Sequence, residues 1–222
     1  MRYLLVVVTH GDNTYCLPQT VTAFNAHATP APVATLLMKD GDCDGIRVPP
    51  PRLVEIRNNT QQGFCVTTET AWRFAASWPN IDYVFWLEHD FLLTRPVDLT
   101  NLATLLHLDA KIAQVALMRN AVNHMEQAAG GLFESRRGEY TQDMFDTPET
   151  GLHGFLRHRS YFTTNPNLMR RDFMEQHPWP PYPDRCEGRF GADILNGGYQ
   201  FAVWGDGEPW VEHIGVRDGF GY

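Results

Sequence analysis

The stretch DYVFWLEHDFLLTRPVDL, residues 82–99, decides how this chain folds. Its apolar run, Tyr83 to Leu87, drives straight into Glu88, His89 and Asp90, and the chain turns apolar again at Phe91-Leu92-Leu93. A continuous apolar run of that length predicts a strand covered on both faces. The passage therefore reads as a buried strand that delivers two carboxylates and an imidazole at its carboxyl end.

Three earlier runs repeat the pattern. Leu4 to Thr9 is a second continuous apolar run, followed by the loop His10-Gly11-Asp12-Asn13. Pro18 suits the first turn of a helix, on which Leu17, Val21, Phe24 and Ala28 recur at helical spacing. Val33 to Met38 ends in KDGDCDG, and Leu53 to Ile56 ends in RNNTQQG. A helix follows with Phe64, Ala71, Phe74, Ala75 and Trp78 on one side. Strand, loop and helix in alternation predict an α/β domain with a mostly parallel central sheet flanked by helices. In such sheets ligands bind beyond the carboxyl ends of the strands. Four polar clusters fall there: His10 to Asn13, Asp40 to Asp44, Asn58 to Gln62, and Glu88 to Asp90. Asp, Asn and Gly also make ordinary turns; the coincidence of all four clusters points to a site.

The second half is less regular. Asp98 is placed to cap a helix carrying Leu99, Leu102, Leu105 and Leu106, and Ile112 to Met118 reads as a strand. Asn123 to His153 shows no firm periodicity, which suggests a lid or binding segment. Ser160 to Met174 reads as a strand, a turn at Asn165-Pro166 and a short helix. HPWPPYP excludes helix and central strand, since proline donates no amide hydrogen bond. A helix near Glu187 to Asn196 and a strand Gln200 to Trp204 precede PWVEHIG.

At 222 residues the chain suits one domain, with residues 1–98 as one half and 99–222 as the other. A formal charge of −8 disfavours a general nucleic-acid coat but not a local basic face. Cys16, Cys43, Cys65 and Cys186 form no CxxC pair, which fits a reducing compartment better than a disulfide frame or a structural zinc site. The N-terminal apolar run reads as a first strand rather than a signal peptide, and no segment is long enough to span a membrane. The expectation is a soluble, cytoplasmic protein.

Carboxylates at a strand's carboxyl end can seat a divalent cation carrying phosphates, because Mg²⁺ and Mn²⁺ prefer hard oxygen ligands. Asp90 would supply the closest oxygen. Glu88, two residues back on the same strand face, would hold the metal or a ribose hydroxyl, and His213 in VEHIG would close the site. An imidazole ligand tilts the choice toward Mn²⁺. The bland alternative is a solvated Glu-His-Asp loop.

The ordered set VVVTHGDNTYCLPQTVTAF, LLMKDGD, NNTQQGF and YVFWLEHDFLL resembles the nucleotide-sugar-binding half of GT-A fold (Rossmann-like) glycosyltransferases, the family-2-like group especially. The later RCEGRFGADILNGGYQFAVWG and WVEHIG resemble the rest of that family. The family's DxD-type motif reads Glu88-His89-Asp90 here, which leaves Asp90 as the stronger metal ligand. The resemblance implies a hexosyl- or pentosyltransferase using a nucleotide-diphosphate sugar, a UDP-sugar first, with Mn²⁺ or Mg²⁺. It places Thr9, His10 and Asp12 in the nucleotide pocket, Asp40 on the base, Gln62 and Gly63 at the ribose, and Arg73 toward the diphosphate, with Glu88 and His89 bordering the donor. Arg73 as a plain surface residue is the alternative. Glu187 resembles the catalytic base that would deprotonate an acceptor hydroxyl; a helix N-terminal glutamate favoured by the helix dipole is the other reading. Asp193 is the second candidate for base. Retaining enzymes of this fold exist, so a base does not fix the stereochemistry.

His153 to Arg171 contains Arg157, Arg159, Arg170 and Arg171, with His153 and His158, and no acid. Such a basic face would suit a phosphorylated or polyanionic acceptor, with Tyr161, Phe162 and Asn165 nearby. FTTNP and the closing HIGVRDGFGY resemble small glycosyltransferases encoded by bacteriophages. That implies a hydroxymethylated pyrimidine in DNA as one acceptor, which a flipped base would stack on Trp179, Tyr182 or Trp204. Other carbohydrates, a lipid carrier or a protein stay open as acceptors. Two rival classes stand beside this one: a metal-dependent phosphohydrolase or nuclease built on Glu88, Asp90 and His213, and a non-catalytic nucleotide-sugar-binding module of the same fold.

Overall fold

A computed structural model describes residues 1–10, 15–41, 52–147, 151–182 and 184–215. The first half runs β1 (Tyr3–His10), α1 (Leu17–His27), β2 (Ala28–Thr29), β3 (Ala34–Asp40), β4 (Leu53–Asn58), α2 (Phe64–Ser77), β5 (Tyr83–Glu88), β6 (Phe91–Leu93) and β7 (Val97–Asp98). The second half runs α3 (Leu99–Leu108), β8 (Ile112–Leu117), α4 (His124–Ala129), α5 (Leu132–Ser135), a 3₁₀ turn (Arg137–Glu139), β9 (Tyr140–Thr147), β10 (Gly151–His158), β11 (Asn167–Arg170), α6 (Arg171–Gln176), α7 (Cys186–Asn196), β12 (Gln200–Trp204) and β13 (Val211–His213).

One nine-stranded sheet has the order β4-β3-β1-β5-β11-β8-β12-β10-β9. Its first four strands are all parallel. β11 then enters antiparallel between β5 and β8, β12 returns parallel to β8, and the β9–β10 hairpin closes the far edge. The parallel pattern read from the first half holds there, and the second half mixes directions. Strand alternation explains the continuous apolar runs. Tyr3, Leu5 and Val7 of β1, with Phe85 and Leu87 of β5, pack on the α1 and α3 side. Leu4, Val6, Val8, Val84 and Trp86 face α2 and α7. Both faces of each strand are covered, so no polar position interrupts the run.

Asp98 caps α3 by accepting from the Thr100 amide, as expected. On α2, Phe74 is exposed rather than on the buried side. Residues 123–153 are not one long loop: they hold two short helices, the 3₁₀ turn and the first part of the hairpin. These pieces are too short to show a period, and Gly130 in the left-handed region ends α4. In the segment 160–174 the strand follows Pro166 instead of preceding it. The irregular backbone before it is satisfied by buried amide side chains: Gln114 donates to the Thr163 carbonyl, and Asn167 donates to the Thr163 and Asn165 carbonyls. Cys65 and Cys186 form a disulfide across 121 residues of sequence, which corrects the reading of the cysteines as unpaired. Disulfides persist in oxidising surroundings, so the argument for a reducing compartment loses its basis. Among the described residues, no helix is long and apolar enough to cross a membrane.

Candidate active site

The site forms where β5 ends. The turn at His89-Asp90 breaks strand alternation, so Glu88 and Asp90 do not share a target. Asp90 Oδ2 lies 3.1 Å from His213 Nε2, and the His213 amide donates to Asn120 Oδ1 at 2.9 Å. β13 is held there by pairing with β6, which follows directly on Asp90. Gly215 packs against the Asp90 carboxylate so closely that a Cβ would collide with Oδ2. Burial alone would raise the Asp90 carboxyl, but the hydrogen bond with His213 and the nearby His89 hold it below the usual carboxylate range. Asp90 Oδ1 is buried and has no hydrogen-bond partner among the described residues.

Glu88 turns the other way, toward α7. Its Oε1 lies 2.6 Å from the Thr164 hydroxyl, whose oxygen is also 3.0 Å from Glu187 Oε1; that oxygen accepts from the Thr164 amide at 2.5 Å. Two features hold Glu187 here. α7 presses on the Phe162 backbone at Gly191, where a Cβ would sit 2.9 Å from Phe162 Cβ and N. The Cys65 disulfide ties the neighbouring Cys186 to α2. Glu187 is 6% exposed at the first turn of α7 and lines a cavity of about 830 Å³. Phe64, Arg119, Arg136, Tyr161, Asn165 and Arg185 share that lining.

Other expected residues fall elsewhere. Asp193, six positions along α7, is rotated by roughly 240° and is exposed, away from Glu187. Asp40 is fully buried, and its carboxylate accepts from Asn58 Nδ2 and from the Gln62 and Gly63 amides, so it shapes the turn into α2. Gln62 itself is exposed and folds back on Thr60. Thr9 is buried and its hydroxyl has no hydrogen-bond partner among the described residues, His89 is buried beneath α1 with its carbonyl bonded by Thr20, and Arg73 is exposed on α2. Asp12, Asp44 and the closing residues 216–222 lie outside the described residues, as does the side chain of His10.

The four arginines of the expected basic face are already engaged by acids and backbone carbonyls. Arg157 pairs with Asp109 and Asp143. Arg170 caps the end of α3 through the Leu106 and Ala110 carbonyls, and Arg171 binds the Ala76 carbonyl at the end of α2. Arg159 is exposed and reaches the Leu195 carbonyl. His158 is buried among Tyr140, Tyr161 and Phe201, and burial lowers its pKa to about 4, leaving it neutral. Trp179 is 3% exposed and packs on Trp72, Phe162 and Phe190, while Trp204 is buried against Phe145 and His153. Neither is open to stack on a base. Of the acceptor-side residues, Tyr161, Phe162 and Asn165 line the cavity. The sequence reading assigned no role to Thr164, Asn120, Arg119, Arg136 or Arg185; Thr164 stood in the quoted FTTNP and Arg185 in RCEGRFGADILNGGYQFAVWG, and no spacing marks the others.

Among the described residues no group of three or more His, Cys, Asp or Glu gathers as a metal cage, so Glu88 does not join Asp90 and His213. Asp90, with an orphaned buried oxygen, and His213 could still hold a hard cation whose remaining positions are filled from outside the protein.

The sheet order, with parallel first-half strands and antiparallel β11, is that of the GT-A fold. Neither a family model nor a curated protein matches the sequence. Among solved structures the chain is similar to GalNAc-T7 with UDP, GalNAc and Mn²⁺, at a TM-score of 0.68 and 13% identity, over 98% of this chain and 44% of that one. It is also similar to the mannosyltransferase PcManGT from Pyrobaculum calidifontis in complex with GDP-Man and Mn²⁺, at a TM-score of 0.63 and 14% identity, over 98% of this chain and 58% of that one. The chain thus spans about half the length of these two proteins.

Proposed function

We propose that this protein is a metal-dependent glycosyltransferase that moves a sugar from a nucleotide-diphosphate sugar to an acceptor hydroxyl. The observation that carries the reading is the meeting of Asp90 with His213, 123 residues apart, at the end of the strand that also brings Glu88 to Thr164 and Glu187. Asp90 and His213 would hold Mn²⁺ or Mg²⁺, which when bound offsets charge on the departing diphosphate. Glu187, buried at the cavity wall, would take the proton of the acceptor hydroxyl. The Mn²⁺ and the nucleotide or nucleotide sugar in the two similar structures support this assignment. Residues 1–98 would supply the donor side and 99–222 the acceptor side of one unit.

A hydroxymethylated pyrimidine in DNA as acceptor rests on the sequence resemblance alone, since the arginines that suggested it serve internal partners. A two-metal hydrolase would need carboxylates gathered around Asp90, whereas Glu88 is turned to Thr164. A non-catalytic module would have no use for Glu187 in the cavity. Thermal shift with UDP, GDP, CDP and TDP, each with Mn²⁺ and with EDTA, tests the donor side: a nucleotide-selective, metal-dependent rise in Tm is expected. Glu187→Gln should keep that rise and lose sugar transfer. A folded protein that shifts with none of the four would refute the reading.

A further inference from the structure

We infer that the cavity beside Glu187 binds an acceptor bearing a phosphate group, recognised by Arg185, Arg136 and Arg119; the inference rests on the glycosyltransferase reading of that site. In a chain of net charge −8, the charged residues of this lining are three arginines and Glu187. The concentration of guanidinium groups is therefore local and runs against the overall composition.

Each arginine is held differently. Arg119 is 6% exposed, and its two terminal nitrogens fork onto Glu126 at 2.7 and 2.9 Å. Its Nε is buried with no partner among the described residues, an arrangement that costs free energy unless a ligand completes it. Arg136 lies over the Tyr161 ring, 5.2 Å from its centroid, and touches Glu139 only at 3.4 Å on the solvent side. Arg185 has no ion pair among the described residues, and it occupies the left-handed region at φ 48°, directly before α7. A non-glycine residue there is uncommon and strained, and glycine or asparagine would relieve it. Keeping arginine at that strained corner fixes its charge at the cavity rim, two residues from Glu187.

Two more groups fit the same ligand. The first amides of α7 have no side-chain cap, and Gly188 among them lines the cavity, so the positive end of the helix faces it. Asn165 is 7% exposed, lines the cavity, and its Oδ1 has no partner among the described residues. That oxygen can accept from a hydroxyl, while guanidinium forks match phosphate oxygens. A phosphate at the arginines would leave a hydroxyl of the same molecule to Glu187. The phosphate can belong to a small sugar or polyol phosphate, or to the backbone of DNA carrying a hydroxymethylated base.

The test is calorimetric binding in EDTA, which disables the metal-dependent donor side, with three probes: glucose 6-phosphate, glucose, and a single-stranded oligonucleotide containing 5-hydroxymethylcytosine. The wild type is expected to bind glucose 6-phosphate or the oligonucleotide, but not glucose. Arg185→Ala and Arg136→Ala should each weaken that binding roughly 10-fold or more, Arg185→Lys less, and both alanine variants should keep the Mn²⁺-dependent nucleotide shift. Binding of glucose 6-phosphate identifies a small phosphate as the source, and binding of the oligonucleotide alone identifies DNA. The inference is overturned if neither probe binds, or if binding ignores both alanine substitutions. Arginine-dependent binding without any nucleotide shift would instead break the donor reading and leave the phosphate site standing.

Discussion

Replacing Glu126 by glutamine tests whether the buried fork behind the cavity is built as described. Glu126 accepts both terminal nitrogens of Arg119 and the Val122 amide. Burial alone would raise its carboxyl, but the Arg119 hydrogen bonds and the Val122 amide outweigh it and bring the pKa from 4.5 to about 2. A shift of that size corresponds to roughly 3 kcal/mol at neutral pH, and the 10% exposure of the Glu126 side chain trims it to about 2 kcal/mol by solvent screening. Glu126→Gln keeps an acceptor for Val122 but leaves Arg119 buried without its counter-charge. We expect a loss of about 2–3 kcal/mol in urea unfolding at pH 7, or a Tm lower by roughly 5–10 °C. The sign follows from linkage. The folded pKa is depressed, so the stabilisation is complete above the unfolded value of 4.5 and is lost as pH falls toward the folded value. The gap between wild type and variant should hold from pH 7 to 5 and shrink by roughly two fifths at pH 3.5. A gap under about 0.5 kcal/mol at pH 7 would refute the reasoning, as would a gap that does not narrow in acid.

Three further outcomes are expected. Asp90→Ala should abolish the Mn²⁺-dependent nucleotide shift with the fold intact by circular dichroism; Gly215→Ala, which crowds the Asp90 carboxylate, should weaken the same shift at least several-fold. His158 is kept neutral by burial at a pKa of about 4 against 6.5 in the unfolded chain, so stability should fall as pH drops from 6.5 toward 4, as the unfolded state takes up a proton first; His158→Phe should flatten that slope in denaturant titrations. Cys65→Ser should lower stability by about 2–5 kcal/mol, because the bridge closes a long loop, and dithiothreitol should lower the Tm of the wild type but not of the variant.

Elements whose signal is local could be read directly from the residues. β1, β3 and β5 are uninterrupted apolar runs because both faces of each strand are covered, and α3 announces itself through Asp98 and its leucines. The positions of Asp90 directly after β5 and of Glu187 in the first turn of α7 were legible for the same reason, since the pattern gives those elements; Glu187 was singled out through the family resemblance. Most contacts between residues far apart in sequence emerge only when the elements are packed. No spacing pairs Cys65 on α2 with Cys186 on α7, a contact set by how the two helices pack on one face of the sheet, whereas His213 was expected beside Asp90 and the pairing of β13 with β6 brings it there. Glu88 shared a strand face with Asp90 on paper, and a two-residue turn sent the carboxylates to different partners. The arginines show the limit most clearly. Arg157, Arg170 and Arg171 read as a basic face but are spent on acids and helix ends, while Arg119, Arg136 and Arg185, scattered over 66 residues of sequence, line one cavity. Charge in a sequence gives only the count of cations; the fold decides which of them already have partners.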